Sequence, residues 1–240
     1  MGAAALLVWG LRMVRTGVLR AFGGSLRGRL GRSMKNRFTA FATGLGITLL
    51  LQSSMATAMM AASFASRGIV AAAPALAIML GADLGTSLVA QAYAFHLPSL
   101  SPLFILVGVI AFLGTHSTRW RDLGRASIGL GLVILALQLI SANADPIRES
   151  PVVLSLIPTL EGAPLPGVIL GAVLAVLSTS SLAIVLLTVS LTKAGVLPIV
   201  TAVAFVLGAN LGSGLTPVIA SLRGAPEARR VPLGNLVFRG

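Results

Sequence analysis

The chain has 240 residues, of which 56% are hydrophobic and only 10% are charged, and its mean hydropathy is +0.96. This composition is too apolar for a soluble domain of this length, so it predicts an integral membrane protein. The net charge of +12 is also common in nucleic-acid-binding proteins. Here, however, the basic residues lie between apolar runs, as anionic lipid and the positive-inside rule favour, so nucleic acid is not an expected partner.

Long uncharged runs divide the chain into predicted helices. A helical crossing needs roughly 20 apolar residues, whereas a membrane β-barrel would show short segments of alternating polarity. The runs are continuous, so an all-α membrane protein is expected. In chain order the predicted elements are a helix at 3–22, an uncharged segment at 38–66, helices at 69–95, 101–115 and 126–142, a second uncharged segment at 162–192, and a helix at 196–222.

An internal repeat emerges when the sequence is shifted by 127 residues (53 + 127 = 180). Ser53-Ser54 then falls on Ser180-Ser181, and the run GADLGT at 81–86 falls on GANLGS at 208–213. This register predicts a first repeat at 1–95, a connector at 96–123 and a second repeat at 124–240 that ends in a basic tail.

Charge predicts how the two copies sit in the membrane. If 38–66 and 162–192 are re-entrant hairpins, the basic loops 27–37, 119–125 and 223–239 share one face, expected to be cytoplasmic. Only Arg148 and Lys193 then lie on the opposite face, whereas single crossings would divide the basic residues more evenly. Three crossings separate the hairpins, so the second copy is inverted relative to the first. Inverted repeats with broken segments at the midplane are a recurrent transporter design.

Polar residues inside the uncharged runs are the candidate ligands. The first hairpin contains Gln52-Ser53-Ser54-Met55-Ala56-Thr57, and broken backbone at this depth requires a cavity. Helix N-termini and serine hydroxyls suit an oxyanion, and hydroxyl, amide and carbonyl oxygens suit sodium. The alternative is structural, because serine also caps helices and packs one helix against another.

The two glycine motifs are interpreted as breaks in the helices that follow the hairpins, since glycine permits unwinding. Asp83 is the acidic residue of the first motif, and an intramembrane acid is functional by default. It could bind a sodium ion or a proton, or it could cap a broken helix. Asn210 offers a neutral oxygen at the matching position.

These motifs resemble the sodium/phosphate cotransporter family, the type II group and its bacterial relatives, with a Q-S-S-S-A-T-like hairpin and a G-A-N-I-G-T-T-like break in each repeat. The resemblance implies sodium-coupled phosphate symport with alternating access, without enzyme activity. From the motifs and the resemblance together, we expect phosphate between Ser53, Ser54, Ser180 and Ser181. Sodium is expected at Gln52, Thr57, Asp83, Thr86, Thr179, Asn210 and Ser213.

Three residues depart from the family pattern: Met55 replaces a third serine, Thr179 stands where glutamine is usual, and Asp83 replaces asparagine. Each could alter stoichiometry, coupling or substrate, so another anion, proton coupling through Asp83, and a phosphate-sensing membrane protein remain alternatives. The expected partners are phosphate, sodium and the lipid of the inner membrane, with a homodimer left open. No cofactor and no transition metal are expected, and the absence of cysteine excludes a cysteine metal site.

Overall fold

A computed structural model describes residues 2–32, 36–94, 99–222 and 226–239, and all regular secondary structure in these ranges is helical. The all-α prediction is therefore confirmed. The helices are α1 (Gly2–Arg32), α2 (Arg37–Leu51), α3 (Ser54–Ser66), α4 (Ala72–Ala94), α5 (Leu100–Gly114), α6 (Thr118–Ala142), α7 (Asp145–Arg148), α8 (Pro151–Gly162), α9 (Pro164–Ser178), α10 (Ser181–Lys193), α11 (Ile199–Ser221) and α12 (Pro226–Arg239).

Four of these helices are long and apolar enough to cross a bilayer: the segment Gly2–Gly24 of α1, and all of α4, α6 and α11. Each spans 23 to 25 residues, and at 1.5 Å per residue such a helix exceeds the ~30 Å hydrocarbon core. Helices α2, α5, α9 and α10 are apolar but shorter. The chain is therefore a multi-pass membrane protein, as its composition predicts.

The helix boundaries repeat with the same shift of 127 residues as the sequence. Adding 127 to the bounds of α2 (37–51) gives α9 (164–178), and the same sum converts α3 into α10 and α4 into α11. Three consecutive helices of one half therefore have partners of equal length in the other half. The second predicted segment, 162–192, accordingly corresponds to α9 and α10 at 164–193.

The predicted breaks in the helices after the hairpins are wrong, because α4 and α11 are each continuous over 23 residues. Their glycines instead permit close packing between helices. A Cβ at Gly81 would collide with the carbonyl oxygen of Phe41 on α2, and one at Gly208 would collide with that of Val168 on α9. Small residues at this spacing let membrane helices approach until their backbones touch.

Where the structure describes the three expected basic loops, they are almost entirely helical and not loops, and their cytoplasmic location stays a prediction. Residues 27–32 continue α1 and 119–125 form the first turns of α6, while 33–35, 95–98 and 223–225 lie outside the described residues. Arg119, Arg121 and Arg125 place their guanidinium groups 5.2 to 5.6 Å from the ring centres of Phe22 and Phe112. Because long basic side chains can lie along apolar surface, the helix need not end where the charges begin.

The predicted basic tail contains α12, which packs against α11, α3 and α4. Two short helices, α7 and α8, occupy the segment between α6 and the second uncharged run, where no element was predicted.

Candidate functional site

Two residues connect the short helices α2 and α3, and two connect α9 and α10. We call these connections, Gln52-Ser53 and Thr179-Ser180, the joints. Gln52 ends α2 in the left-handed conformation, with φ 52° and ψ 34°, and Thr179 ends α9 with φ 53° and ψ 27°. The next residues, Ser53 and Ser180, are extended at φ −153°. A side chain in the left-handed region costs roughly 1–3 kcal/mol, and such strain clusters at functional sites. The same strained joint therefore occurs at matching positions in both halves.

The serine of each joint caps the helix that follows. The Ser53 hydroxyl accepts a hydrogen bond of 3.3 Å from the backbone N–H of Ala56, and the Ser180 hydroxyl accepts one of 3.2 Å from that of Ala183. Such caps satisfy one of the free N–H groups of the first turn. In this conformation Ser53 and Ser180 thus have the structural role that the sequence left open.

The serine that follows each joint, Ser54 or Ser181, lines a central cavity of about 790 Å³ between the two halves. Helices α2, α3, α4, α10, α11 and α12 all contribute to its wall. Three pairs of polar residues related by the shift of 127 face this cavity: Ser54 with Ser181, Asp83 with Asn210, and Thr86 with Ser213. The cavity therefore brings six predicted ligand residues together, although they are as much as 159 positions apart in sequence (213 − 54).

The acidic and amide members of these pairs lie at equivalent depths. Asp83 is the twelfth of the 23 residues of α4, and Asn210 is the twelfth of the 23 residues of α11. The hydroxyls one turn further on bond to their own helices: Thr86 donates to the carbonyl of Ala82 at 3.1 Å, and Ser213 to that of Asn210 at 2.9 Å. Both helices thus present their polar groups at mid-length, where a spanning helix is furthest from water.

Arg239, on the last turn of α12, also reaches this cavity and was missed as a site residue. Its guanidinium pairs with the Asp83 carboxylate, with Nε donating to Oδ2 at 3.1 Å and Nη2 donating to Oδ1. Nη1 donates to the carbonyl oxygen of Asn210 at 2.8 Å and to the Ser213 hydroxyl. The Arg239 side chain is 3% exposed and that of Asp83 20% exposed. A single buried cation therefore joins α4 of the first half to α11 of the second.

The repeat itself contained the signal for α12. Subtracting 127 from residues 226–239 gives 99–112, which falls on the predicted helix at 101–115. A tail equivalent to a helix should itself be helical, and its arginine would then enter the membrane.

The other three predicted sodium ligands lie elsewhere. The Gln52 side-chain carbonyl accepts a hydrogen bond of 2.9 Å from the Tyr93 hydroxyl and lines a second cavity, of about 400 Å³, between α2, α4, α5 and α6. The Thr57 hydroxyl is buried 2.8 Å from that of Thr48 and donates to the Ser53 carbonyl at 3.3 Å. Thr179 is at the second joint. The structure thus separates the predicted ligands into the six that line the central cavity and those at or beside the two joints.

A multi-pass helical protein with a cavity between two similar halves, to whose largely apolar wall both halves contribute polar side chains, has the architecture of a membrane carrier for a small hydrophilic solute. The sequence profile described as Na+/Pi-cotransporter matches residues 6–142 and 151–232. The chain therefore belongs to this family, as the hairpin and glycine motifs predict, and the family is one of transporters and not of enzymes.

Its relatives include YjbB of Escherichia coli K12, named provisionally as an inorganic phosphate export protein, which is 48% identical over 239 residues. YjbB of Salmonella typhimurium, which has the same name, is 47% identical over 239 residues. Both alignments cover 100% of this chain and 44% of the relative, so the chain spans less than half the length of these proteins. The uncharacterized protein YqeW of Bacillus subtilis is 23% identical over 95% of this chain and 74% of its own length. No solved structure is significantly similar to the chain.

Proposed function

We propose that the chain is a sodium-coupled transporter of inorganic phosphate that holds its substrate in the central cavity. The main support is the pairing of Ser54 with Ser181 on the cavity wall, because these residues begin α3 and α10. A helix N-terminus carries about half a positive charge and presents free N–H groups, which together favour an oxyanion. Two such ends and two hydroxyls facing one space offer a phosphate ion partners in place of water.

The coupling sodium ions are assigned to the remaining oxygens of the predicted set. Thr86, Asn210 and Ser213 supply hydroxyl and amide oxygens in the cavity, together with the Asp83 carboxylate. Gln52, Thr57 and Thr179 supply oxygens close to the joints. Oxygen ligands of this kind suit a hard cation, and an anion that enters with sodium crosses with less uncompensated charge.

The re-entrant, inverted arrangement is part of this proposal and can be tested by labelling, because the sequence contains no cysteine and every introduced cysteine is a clean reporter. Arg37 and Arg67 are exposed at the two ends of the first helix pair. In Arg37→Cys and Arg67→Cys, a membrane-impermeant maleimide should reach both sites from the same face. Labelling from opposite faces would show that the pair crosses the membrane.

The orientation of the second half needs one further reporter. Ala163 is exposed between α8 and α9, ahead of the second helix pair. Ala163→Cys should react from the face opposite to Arg67→Cys if the halves are inverted. Labelling of both from one face would leave a duplication without inversion, and alternating access would then lack its symmetry basis.

Flux into proteoliposomes tests the transport function. Labelled phosphate should accumulate with sodium outside and not when potassium replaces it, and an imposed pH gradient alone should not drive uptake. Because curated relatives are named for phosphate export, preloaded vesicles with sodium inside should be measured for efflux as well. Flux equal in potassium and sodium would overturn sodium coupling, and flux driven by pH alone would indicate proton coupling.

The two serines give the matched test of the site. Ser54→Ala and Ser181→Ala each remove a hydroxyl from the cavity, and a hydrogen bond to a charged group contributes about 1.5–3 kcal/mol, so the phosphate KM should rise roughly ten- to hundred-fold. Ser66→Ala is the control, because its exposed hydroxyl is at the far end of α3 and bonds to the Ser63 carbonyl. Unchanged transport in both cavity variants would remove the central cavity from the phosphate path.

A further inference from the structure

The position of Arg239 raises a question of charge balance in the central cavity. Its guanidinium offsets the charge of Asp83, to which Nε and Nη2 donate, and Nη1 is engaged by the Asn210 carbonyl and the Ser213 hydroxyl. An anion that enters this space meets a carboxylate, which repels it, and a guanidinium whose fork is already engaged. A cation meets a guanidinium, which repels it, and a carboxylate that is already paired with Arg239. Neither ligand alone finds a free partner of opposite charge.

Both obstacles disappear when the two ligands bind together. A guanidinium fork fits a phosphate as well as it fits a carboxylate, because both present two oxygens in a plane. If phosphate binds to Arg239, the Asp83 carboxylate is released and becomes a ligand for sodium. If sodium binds to Asp83, the guanidinium of Arg239 is released and becomes a ligand for phosphate. Each ligand therefore increases the affinity of the protein for the other, and by thermodynamic linkage the two increases are the same factor.

We propose that the Asp83–Arg239 ion pair is the element that couples the two ligands: it holds the empty cavity neutral and opens only when an anion and a cation replace it together. This inference rests on the proposed transport of phosphate with sodium and identifies a contact through which the coupling acts. It also gives a role to Arg239, which lies outside the motifs, and to Asp83, which replaces the asparagine of the family pattern.

Contacts with α11 position Arg239 at the cavity. Its aliphatic stem passes over Gly214 on α11, where an added Cβ would lie 3.1 Å from Cδ, so the glycine provides the space through which the side chain reaches the cavity. The backbone carbonyl of Asn210 and the Ser213 hydroxyl hold the far side of the guanidinium. In the proposed exchange, phosphate takes the place of the Asp83 carboxylate at Nε and Nη2 while α11 retains its bonds to Nη1.

Binding of inorganic phosphate to the purified full chain, measured with and without sodium, tests the coupling. In the parent protein, sodium should tighten phosphate binding at least ten-fold. Asp83→Asn frees the guanidinium permanently, so phosphate should bind without sodium at nearly the parent's sodium-bound affinity, and the sodium effect should fall below three-fold. Arg239→Gln should weaken phosphate binding at least ten-fold. Arg239→Lys retains the charge without the paired N–H donors of a guanidinium, so its phosphate affinity should lie between those of the parent and of Arg239→Gln.

A matched control pair is available at the end of α6. Asp122 and Arg125 form another ion pair, with 3.7 Å between Nη1 and Oδ1, in the first two turns of α6 and away from the cavity. Asp122→Asn and Arg125→Gln should leave both phosphate affinity and its sodium dependence at the parent values. Arg239→Lys also serves as the variant to use if Arg239→Gln fails to elute as a monodisperse protein.

The outcomes separate the two proposals. A parent protein that binds phosphate equally with and without sodium refutes sodium coupling, and with it the proposed function. A parent with strong sodium dependence whose Asp83→Asn variant retains that dependence in full refutes the ion-pair switch alone. Loss of sodium dependence in Asp83→Asn with weakened phosphate binding would also overturn the switch, because it would make Asp83 a simple sodium ligand without an effect through Arg239.

Discussion

The packing of α2 against α4 can be tested by adding a single methyl group at two neighbouring glycines. A Cβ at Gly44 would collide with the carbonyl oxygen of Ile78, which is backbone and cannot rotate away, whereas a Cβ at Gly46 would meet nothing within 4 Å. Gly44→Ala and Gly46→Ala share one helix and the same chemical change. Their intrinsic gain in helix propensity, up to about 1 kcal/mol each, therefore cancels in the comparison.

The remaining difference is the cost of overpacking a tight contact, which is typically about 1–3 kcal/mol. Gly44→Ala should accordingly be less stable than Gly46→Ala by about that amount, or roughly 5- to 150-fold in the ratio of folded to unfolded protein. Unfolding by SDS in mixed micelles, followed by the fluorescence of Trp9 and Trp120, measures this difference. Equal midpoints for the two variants would show that the helices do not touch at Gly44, and would refute the close-packing explanation of the glycine motifs.

Three smaller predictions concern single hydrogen bonds, and the same unfolding measurement checks each. Ser53→Ala removes the cap of α3 and should cost about 1 kcal/mol, whereas Ser53→Gly should cost only a few tenths; equal losses would argue against a cap. Tyr93→Phe removes the 2.9 Å bond to Gln52 and should cost about 1 kcal/mol. No loss would place that hydroxyl in water. Thr48→Val leaves the Thr57 hydroxyl short of one partner, so the double variant with Thr57→Val should cost less than the sum of the two single changes; additive losses would contradict the pair.

The glycine contacts also show how deeply the duplication extends. Gly44 and Gly171 are related by 127, and so are their collision partners, the carbonyl groups of Ile78 and Phe205. The two halves therefore share a packing arrangement as well as a motif. One difference between the halves falls at a ligand position, where Asp83 of α4 corresponds to Asn210 of α11, and both residues line the cavity. A duplicated scaffold with unequal ligands can bind unlike charges at one place, and this asymmetry carries the proposed coupling of phosphate and sodium.

The sequence determined the features that depend on local pattern and on length. Uncharged runs long enough for a bilayer predicted the helices, and the shift of 127 residues predicted which helices would match. Ser54 and Ser181 were placed at the candidate site because broken helices inside an apolar run need polar partners. These inferences required only the spacing of residues along the chain. The helical structure and the family agree with the predicted helices and their repeat, and six of the predicted site residues line one cavity, while their roles as ligands stay predictions.

Tertiary structure decided what local pattern leaves ambiguous. A glycine run in an apolar helix has one composition whether the helix unwinds or packs, and only the distance to α2 and α9 distinguishes the two, in favour of packing at Gly81 and Gly208. The partner of Asp83 was equally hidden, because Arg239 is 156 positions away (239 − 83) and its sequence reads as a basic tail. A buried charge selects its partner by proximity in space, and that proximity arises only once α12 has folded against α4 and α11.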